Sequence, residues 1–326
     1  MEKKILNNLH PCMDGMNGEN YAFCGAMAFL MESIGEKDYD YWFFTCVTGD
    51  TFTQIFNKKQ NQYNYDCLSS AVFGKEHLEK VFSACGYDFT LVNNNELLCD
   101  KNKYIQKILE WIDKGIPVLI KQNENCSFSL IVGYENDGKT LLRFNLYDSD
   151  PTAYEFNLSE NSNYALVFTG DKASSPSLAE VYRRSVYDIP NLIKRPSTEK
   201  SSFGREAFSD WAESIVDGRY VNMAANELNS GNAHTNYIIN FGTNGCMKKF
   251  IRRVSELNPD MKELVEALYN ISAAVDPIFF ALMEMEGGFD MQSAKLADIE
   301  KMRPISNKIK ENLPYCDEIL KLFNKA

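Results

Sequence analysis

Cys24 is the residue of this sequence best suited to covalent chemistry. It falls in the run YAFCGAMAFLMESI over 21–34, whose apolar groups occupy nearly every face and predict a buried helix ended by Gly35, with the thiol in the first turn. A cysteine at a helix start is met by unpaired backbone N–H groups and the positive end of the helix dipole. Both stabilise the thiolate, the species that attacks a carbonyl. The same Cys-Gly-Ala-Met-Ala run equally suits a small apolar residue packed in a core, because free cysteine is among the most buried residue types. Thiol catalysis also needs a base, and the chain has three histidines, His10, His77 and His234. His10-Pro11-Cys12 precedes the Cys24 helix and could lie beside it. His77 reads as the exposed side of a surface helix. His234 sits in GNAHTNY, a small polar run of the kind that lines a cleft, and is a substrate-binding candidate.

These residues must be positioned by a chain of 326 residues, a length that suits two hydrophobic cores better than one. With 34 basic and 45 acidic residues the formal charge is −11, so the surface repels phosphate backbones and anionic lipid, and neither nucleic acid nor membrane is an expected partner. No stretch approaches the roughly 20 apolar residues of a membrane span, and the N-terminal residues do not read as a signal peptide, so a cytoplasmic location is expected. The nine cysteines are scattered singly without CxxC pairs or nearby histidines; reduced thiols are expected, with no metal and no cofactor.

Helical periodicity predicts further helices at 75–85, stopped by Gly86, and at 103–114, stopped by Gly115. Residues 40–56 are aromatic and β-branched and read as strand or irregular structure. Strands are predicted at 87–92 and 116–121, followed by a hairpin of 127–135 and 139–145 around Asn136-Asp137-Gly138, a turn that tolerates positive φ. Strands at 153–158 and 164–169 complete an antiparallel sheet. The composition then turns polar and rich in Pro and Ser. The reading is an α+β domain at 1–170, a linker at 171–203 holding a short helical stretch, and an all-α helical bundle at 204–326, with helices at 205–216, 221–229, 233–255, 260–284, 293–301 and 305–323.

The order of these elements, with Cys24-Gly25-Ala26, Gly86-Tyr87, Gly115-Ile116-Pro117-Val118, Val132-Gly133-Tyr134 and Asp150-Pro151, resembles the butirosin biosynthesis protein H-like family and, more distantly, the leader peptidases that cut after double glycine. The resemblance spans roughly residues 8–170, and Gly204-Arg205-Glu206-Ala207-Phe208 is similar to the start of the helical domain that often follows. It implies a papain-like fold with Cys24 as nucleophile, a peptide-like or acyl-bearing small molecule as ligand, and an acyl carrier protein as partner. It also implies a histidine on the strand before Val132, where this sequence has Ser127, a residue that can orient a group but cannot act as a general base. Asp150 falls where the histidine-orienting residue belongs, and also reads as a solvated Asp-Ser-Asp-Pro turn. Asn20 stands where a glutamine would donate to an oxyanion, or caps the helix, and Tyr134 would line the substrate cleft. Two functions follow. One is a thiol acyltransferase or peptidase-like protein acting through Cys24; the other is a non-catalytic binding module that kept the fold and lost the base.

Overall fold

The computed structural model describes residues 3–58, 67–122, 128–160, 162–224, 228, 234, 237–238, 240–242, 248–286 and 293–324. It is an α+β structure that divides into two compact units, though not at one boundary. Unit 1 comprises Met1–Thr48 and Val72–Ser177, and unit 2 comprises Gly49–Ala71 and Leu178–Ala326.

Unit 1 begins with strand β1 (Lys4–Ile5) and helix α1 (Ala22–Ser33), which ends where Gly35 takes the left-handed conformation at φ 90°. Residues 41–48, read as strand or irregular, instead form helix α2 (Tyr41–Thr48), with all eight residues buried. Asp40 accepts from the N–H of Phe43 at its start, and the hydroxyls of Thr45 and Thr48 donate back to the carbonyls of Trp42 and Phe44. Burial of the aromatic rings outweighs the strand preference of these side chains, and back-bonding satisfies the threonines within the helix.

Beyond the short helix α3 (Leu68–Val72) come α4 (Lys75–Cys85), strand β3 (Tyr87–Asn93), α5 (Asn94–Cys99) and α6 (Lys101–Asp113). Strands β4 (Val118–Lys121), β5 (Phe128–Glu135), β6 (Thr140–Phe144), β7 (Thr152–Tyr154) and β8 (Ala165–Lys172) follow. The antiparallel sheet runs β3-β8-β4-β5-β6-β7, with β1 added on β5. At the tip of the β5–β6 hairpin Asn136, Asp137 and Gly138 all have positive φ. A Cβ on Gly138 would lie 2.5 Å from Leu109 of α6, so the tight turn packs directly on that helix.

The sheet carries helices on both faces. On one face α6 closes a mainly aliphatic core that includes Ile108, Ile112, Val118, Ile120, Ile131 and Leu166, with Phe156 and Phe168 among them. On the other lie α1 and its neighbours, seen in the ring contacts of Phe23 with Phe128 and of Phe29 with Phe144. Strand β5 changes sides partway along. Ile131 pairs with Arg143 but Gly133 pairs with Leu142, so Val132 is an extra residue in a bulge and the alternation resets after it.

Unit 2 contains residues 49–71, which the sequence placed in the first domain, and the physical reason is long-range pairing. Strand β2 (Ile55–Asn57) pairs antiparallel with β9 (Ser201–Phe203), and Phe52 packs edge-on against Phe250. The span 171–203 read as linker contains α7 (Leu178–Ile193), seven of whose residues are buried. Further helices are α8 (Gly204–Ser214), α9 (Lys248–Leu257), α10 (Lys262–Ala273), α11 (Val275–Glu286), α12 (Ile299–Lys310) and α13 (Leu313–Phe323). Of the helix expected at 221–229, residues 221–224 form a turn and a coil instead, and 225–227 and 229 lie outside the described residues; of the 233–247 part of the next, residues 234, 237–238 and 240–242 are helical and the rest lie outside the described residues. Among the described residues one helical run, Pro259–Met285, is long and apolar enough to cross a membrane; it is interrupted at Ala274 and carries Asp260, Lys262, Glu263, Glu266, Asp276 and Glu284.

Candidate functional site

The site is built on the start of α1. Its N-cap, Tyr21, makes no side-chain capping bond; instead the backbone N–H groups of Asn20 and Tyr21 both donate to the phenolic oxygen of Tyr41, each at 3.0 Å. One hydroxyl from α2 thus takes two donors at the helix entrance. Asn20, expected to donate to an oxyanion or to cap the helix, is half-buried there. Cys24 occupies the first turn as expected, and Gly25 beside it leaves room for the chain that crosses the helix: a Cβ at Gly25 would lie 2.3 Å from the sulfur of Met13.

The sulfur of Cys24 is fully buried and lies 3.8 Å from Oγ1 of Thr48. Thr48 has a single hydroxyl proton, and that proton is directed at the carbonyl of Phe44 at 2.7 Å. At the contact between the two side chains the thiol is therefore the donor and Thr48 the acceptor. At that contact a thiolate would face an oxygen lone pair instead of a proton.

The histidines lie in three different settings. His10 runs alongside α1 as anticipated, but at its C-terminal half: the ring packs edge-on against Phe29, and Nε2 lies 3.2 Å from a carboxylate oxygen of Glu32. Glu32 is eight residues beyond Cys24, roughly 12 Å of helix rise. The other ring nitrogen, Nδ1, faces the carbonyl of Pro11 at 3.0 Å. Both partners are acceptors, so the imidazolium is the form that satisfies both, and the Pro11 carbonyl first, then Glu32, raise the His10 pKa above its ordinary value.

His77, read as exposed, is buried on α4 and packs against Phe23, the residue before Cys24. The signal was present in the spacing, since His77 precedes Val81 and Cys85 by four and eight residues on the buried stripe of α4. His234 is buried within unit 2, where Nε1–H of Trp211 donates to its Nδ1 at 2.9 Å. The described imidazole packed against the first turn of α1 is thus that of His77.

Tyr134, proposed from sequence as substrate-binding, is turned away from this region by the β5 bulge. Its side chain joins the α6 core, and its hydroxyl donates to Asp113 at 3.0 Å. Asp150 is exposed in a bend, and among the described residues its carboxylate makes no hydrogen bond or ion pair. In the same bend Asn145 donates to Asp148 at 2.9 Å. Ser127 lies outside the described residues; the next residue, Phe128, faces α1 through the ring of Phe23 at 5.1 Å. On the same face Lys121 is buried, with its ammonium 5.0 Å from the ring centre of Phe73.

An open groove of about 950 Å³ runs along α1 on the side of His10 and Cys12, walled by Glu32, Tyr39, Asp40 and Trp42. The Cys12 thiol in this wall donates to the carbonyl of Leu146, and burial pushes its pKa up to about 12, so it is protonated at neutral pH. Among the described residues no cluster of three or more His, Cys, Asp or Glu side chains could hold a metal ion. Comparison of the sequence with models of known protein families finds no match, and comparison with curated proteins finds none either.

Proposed function

We propose that unit 1 is a papain-like scaffold that binds a peptide-like or acyl-bearing small molecule without thiol catalysis, with Cys24 as a packing residue. The scaffold reading is supported by Cys24 in the first turn of a helix whose Phe23 packs on the first residue of an antiparallel strand. The binding reading rests on one observation: the Cys24 sulfur is fully buried and donates to a hydroxyl whose own proton is already used. A nucleophile needs to be open to its substrate as a thiolate, and a fully buried sulfur is not. The groove along α1, with rings of Tyr39 and Trp42 beside Asp40 and Glu32, offers apolar and polar surface to such a ligand.

The test is iodoacetamide alkylation of the native protein across pH, read residue by residue by mass spectrometry. Cys99, the exposed thiol among the described ones, serves as the control. Cys24 is expected to stay unlabelled from pH 5 to 8 under conditions in which the exposed Cys99 is alkylated. Fast, selective labelling of Cys24 below neutral pH overturns the proposal. It would favour the thiol acyltransferase reading, with His77 the first base to replace by alanine.

A further inference from the structure

The sheet of unit 1 ends in strand β3, and among the described residues no strand pairs with its outer edge. An edge strand sends alternate N–H and C=O groups outward with no sheet partner, and folds ordinarily blunt such edges with bulges, charges or a covering element. Here the bulge lies at Tyr87 to Phe89, with Asp88 at the same place. From Phe89 to Asn93 the register against β8 is regular, which leaves five residues of straight edge, the last of which, Asn93, already gives its N–H to Glu96 in the cap of α5.

Beside that edge lies a groove of about 880 Å³ whose far wall is α4. The α4 residues on it are Lys75, Glu79, Phe82 and Ser83, which fall at spacings of four, seven and eight and so form one stripe of the helix. The stripe is roughly 12 Å long and the straight edge roughly 17 Å, so the trough accommodates about five residues of extended chain. Phe82 and Phe89 stack across it at 5.0 Å between ring centres and give it an apolar floor.

We infer that this trough is a peptide-docking site, in which an extended segment of a partner protein adds as a strand to β3 under the α4 wall. Main-chain bonds to the free edge would supply affinity, and side chains at alternate positions would read the walls. Charge sets the chemistry of the occupant. Lys75 and Glu79 pair with each other at 3.6 Å, which leaves Asp88 as the groove charge without an ion-pair partner among the described residues. The expected segment therefore alternates apolar residues and carries a lysine or arginine near Asp88. A second copy of this chain fits less well, because two chains of formal charge −11 repel. The inference goes beyond the binding reading of the α1 groove and is independent of the state of Cys24.

The experiment is selection of a displayed library of random heptapeptides on the full-length protein, with the Ser83→Trp variant as counter-target. Ser83 is exposed, so the indole should plug the trough while the fold, checked by circular dichroism and thermal melting, is retained. Enriched heptapeptides should alternate apolar residues and contain a basic residue, and should protect the outward-facing amides within Phe89–Val92 from hydrogen exchange. They should lose about tenfold or more in affinity for Ser83→Trp. In the Asp88→Lys variant the preference should shift to acidic residues, a readout that survives even if Ser83→Trp misfolds. No enrichment, or binders that leave the β3 amides unprotected, overturns the inference. So does protection of those amides in the peptide-free protein that rises with its own concentration, since a second copy would then occupy the edge.

Discussion

The two faces of the unit 1 sheet are built from different materials. The α6 face is mainly aliphatic, with Tyr134, Phe156 and Phe168 in its core, and its polar contacts include Tyr134 and Lys4 on Asp113, Trp111 donating to the carbonyl of Thr169, and Gln122 donating to the buried Ser129. The α1 face is aromatic and buries chemistry-bearing groups, namely Cys24, Thr48, His77 and Lys121. Burying polar groups costs free energy that an aliphatic core avoids, so the difference marks the α1 face as the one where stability is not the sole constraint. It also shows how one inserted residue, Val132, assigns a tyrosine to the structural face rather than the candidate site.

The largest effect expected from this contrast is on the aliphatic face. Ile112→Ala should cost about 2–5 kcal/mol of unfolding free energy in urea, because Ile112 is fully buried and the cavity cannot collapse against the sheet. A cost below about 1 kcal/mol would show that this face is loosely packed and would remove the distinction. A smaller effect belongs to Tyr134→Phe, which deletes the bond to Asp113 and should cost about 1 kcal/mol with ligand binding unchanged. If that variant instead lost ligand with little loss of stability, the two faces would not divide the labour as stated.

The smallest effect concerns His10, which lies beyond the sheet on the outer side of α1. Its pKa is raised in the folded protein, so its contribution to stability is fully present below the unfolded value near 6.5 and fades as pH rises through the folded one. The pair with Glu32 is largely exposed, so the change should be slight. Urea midpoints of wild type and His10→Gln should differ at pH 5.5 and converge by pH 8.5; equal midpoints at both would show that the clamp on α1 contributes nothing.

Elements that announce themselves by short-range pattern were legible in the sequence. The helices α1, α4 and α6 repeat apolar groups at helical spacing and stop at Gly35, Gly86 and Gly115, and the β5–β6 hairpin follows its Asp-Gly turn. Helix α2 was not legible, because its aromatic and β-branched residues become helical only when buried on every side. Helix α7 was legible only as a short helical stretch inside a linker, because Pro190 and the polar flanks obscure the full length over which its buried residues keep helical spacing. Of the candidate site, the place of Cys24 at a helix start was readable. The role of Thr48 as acceptor was not, since it depends on which carbonyl takes a hydroxyl proton. The face of Tyr134 was lost to the bulge, because strict alternation would place it with Phe128 and Leu130.

The pairing of β2 with β9 has a consequence in time. Ribosomes add about 5–20 residues per second, so Ile55–Asn57 is made roughly 7 to 30 seconds before its partner Ser201–Phe203 exists. Throughout that interval Ile55 and Phe56, both buried in the finished protein, have no strand beside them, while most of unit 1 is being synthesised. The nascent chain therefore holds an apolar edge in waiting, and the yield of folded protein should depend on what shields it: slow translation between 58 and 200 lengthens the exposure, and a chaperone that binds extended apolar segments shortens its effect.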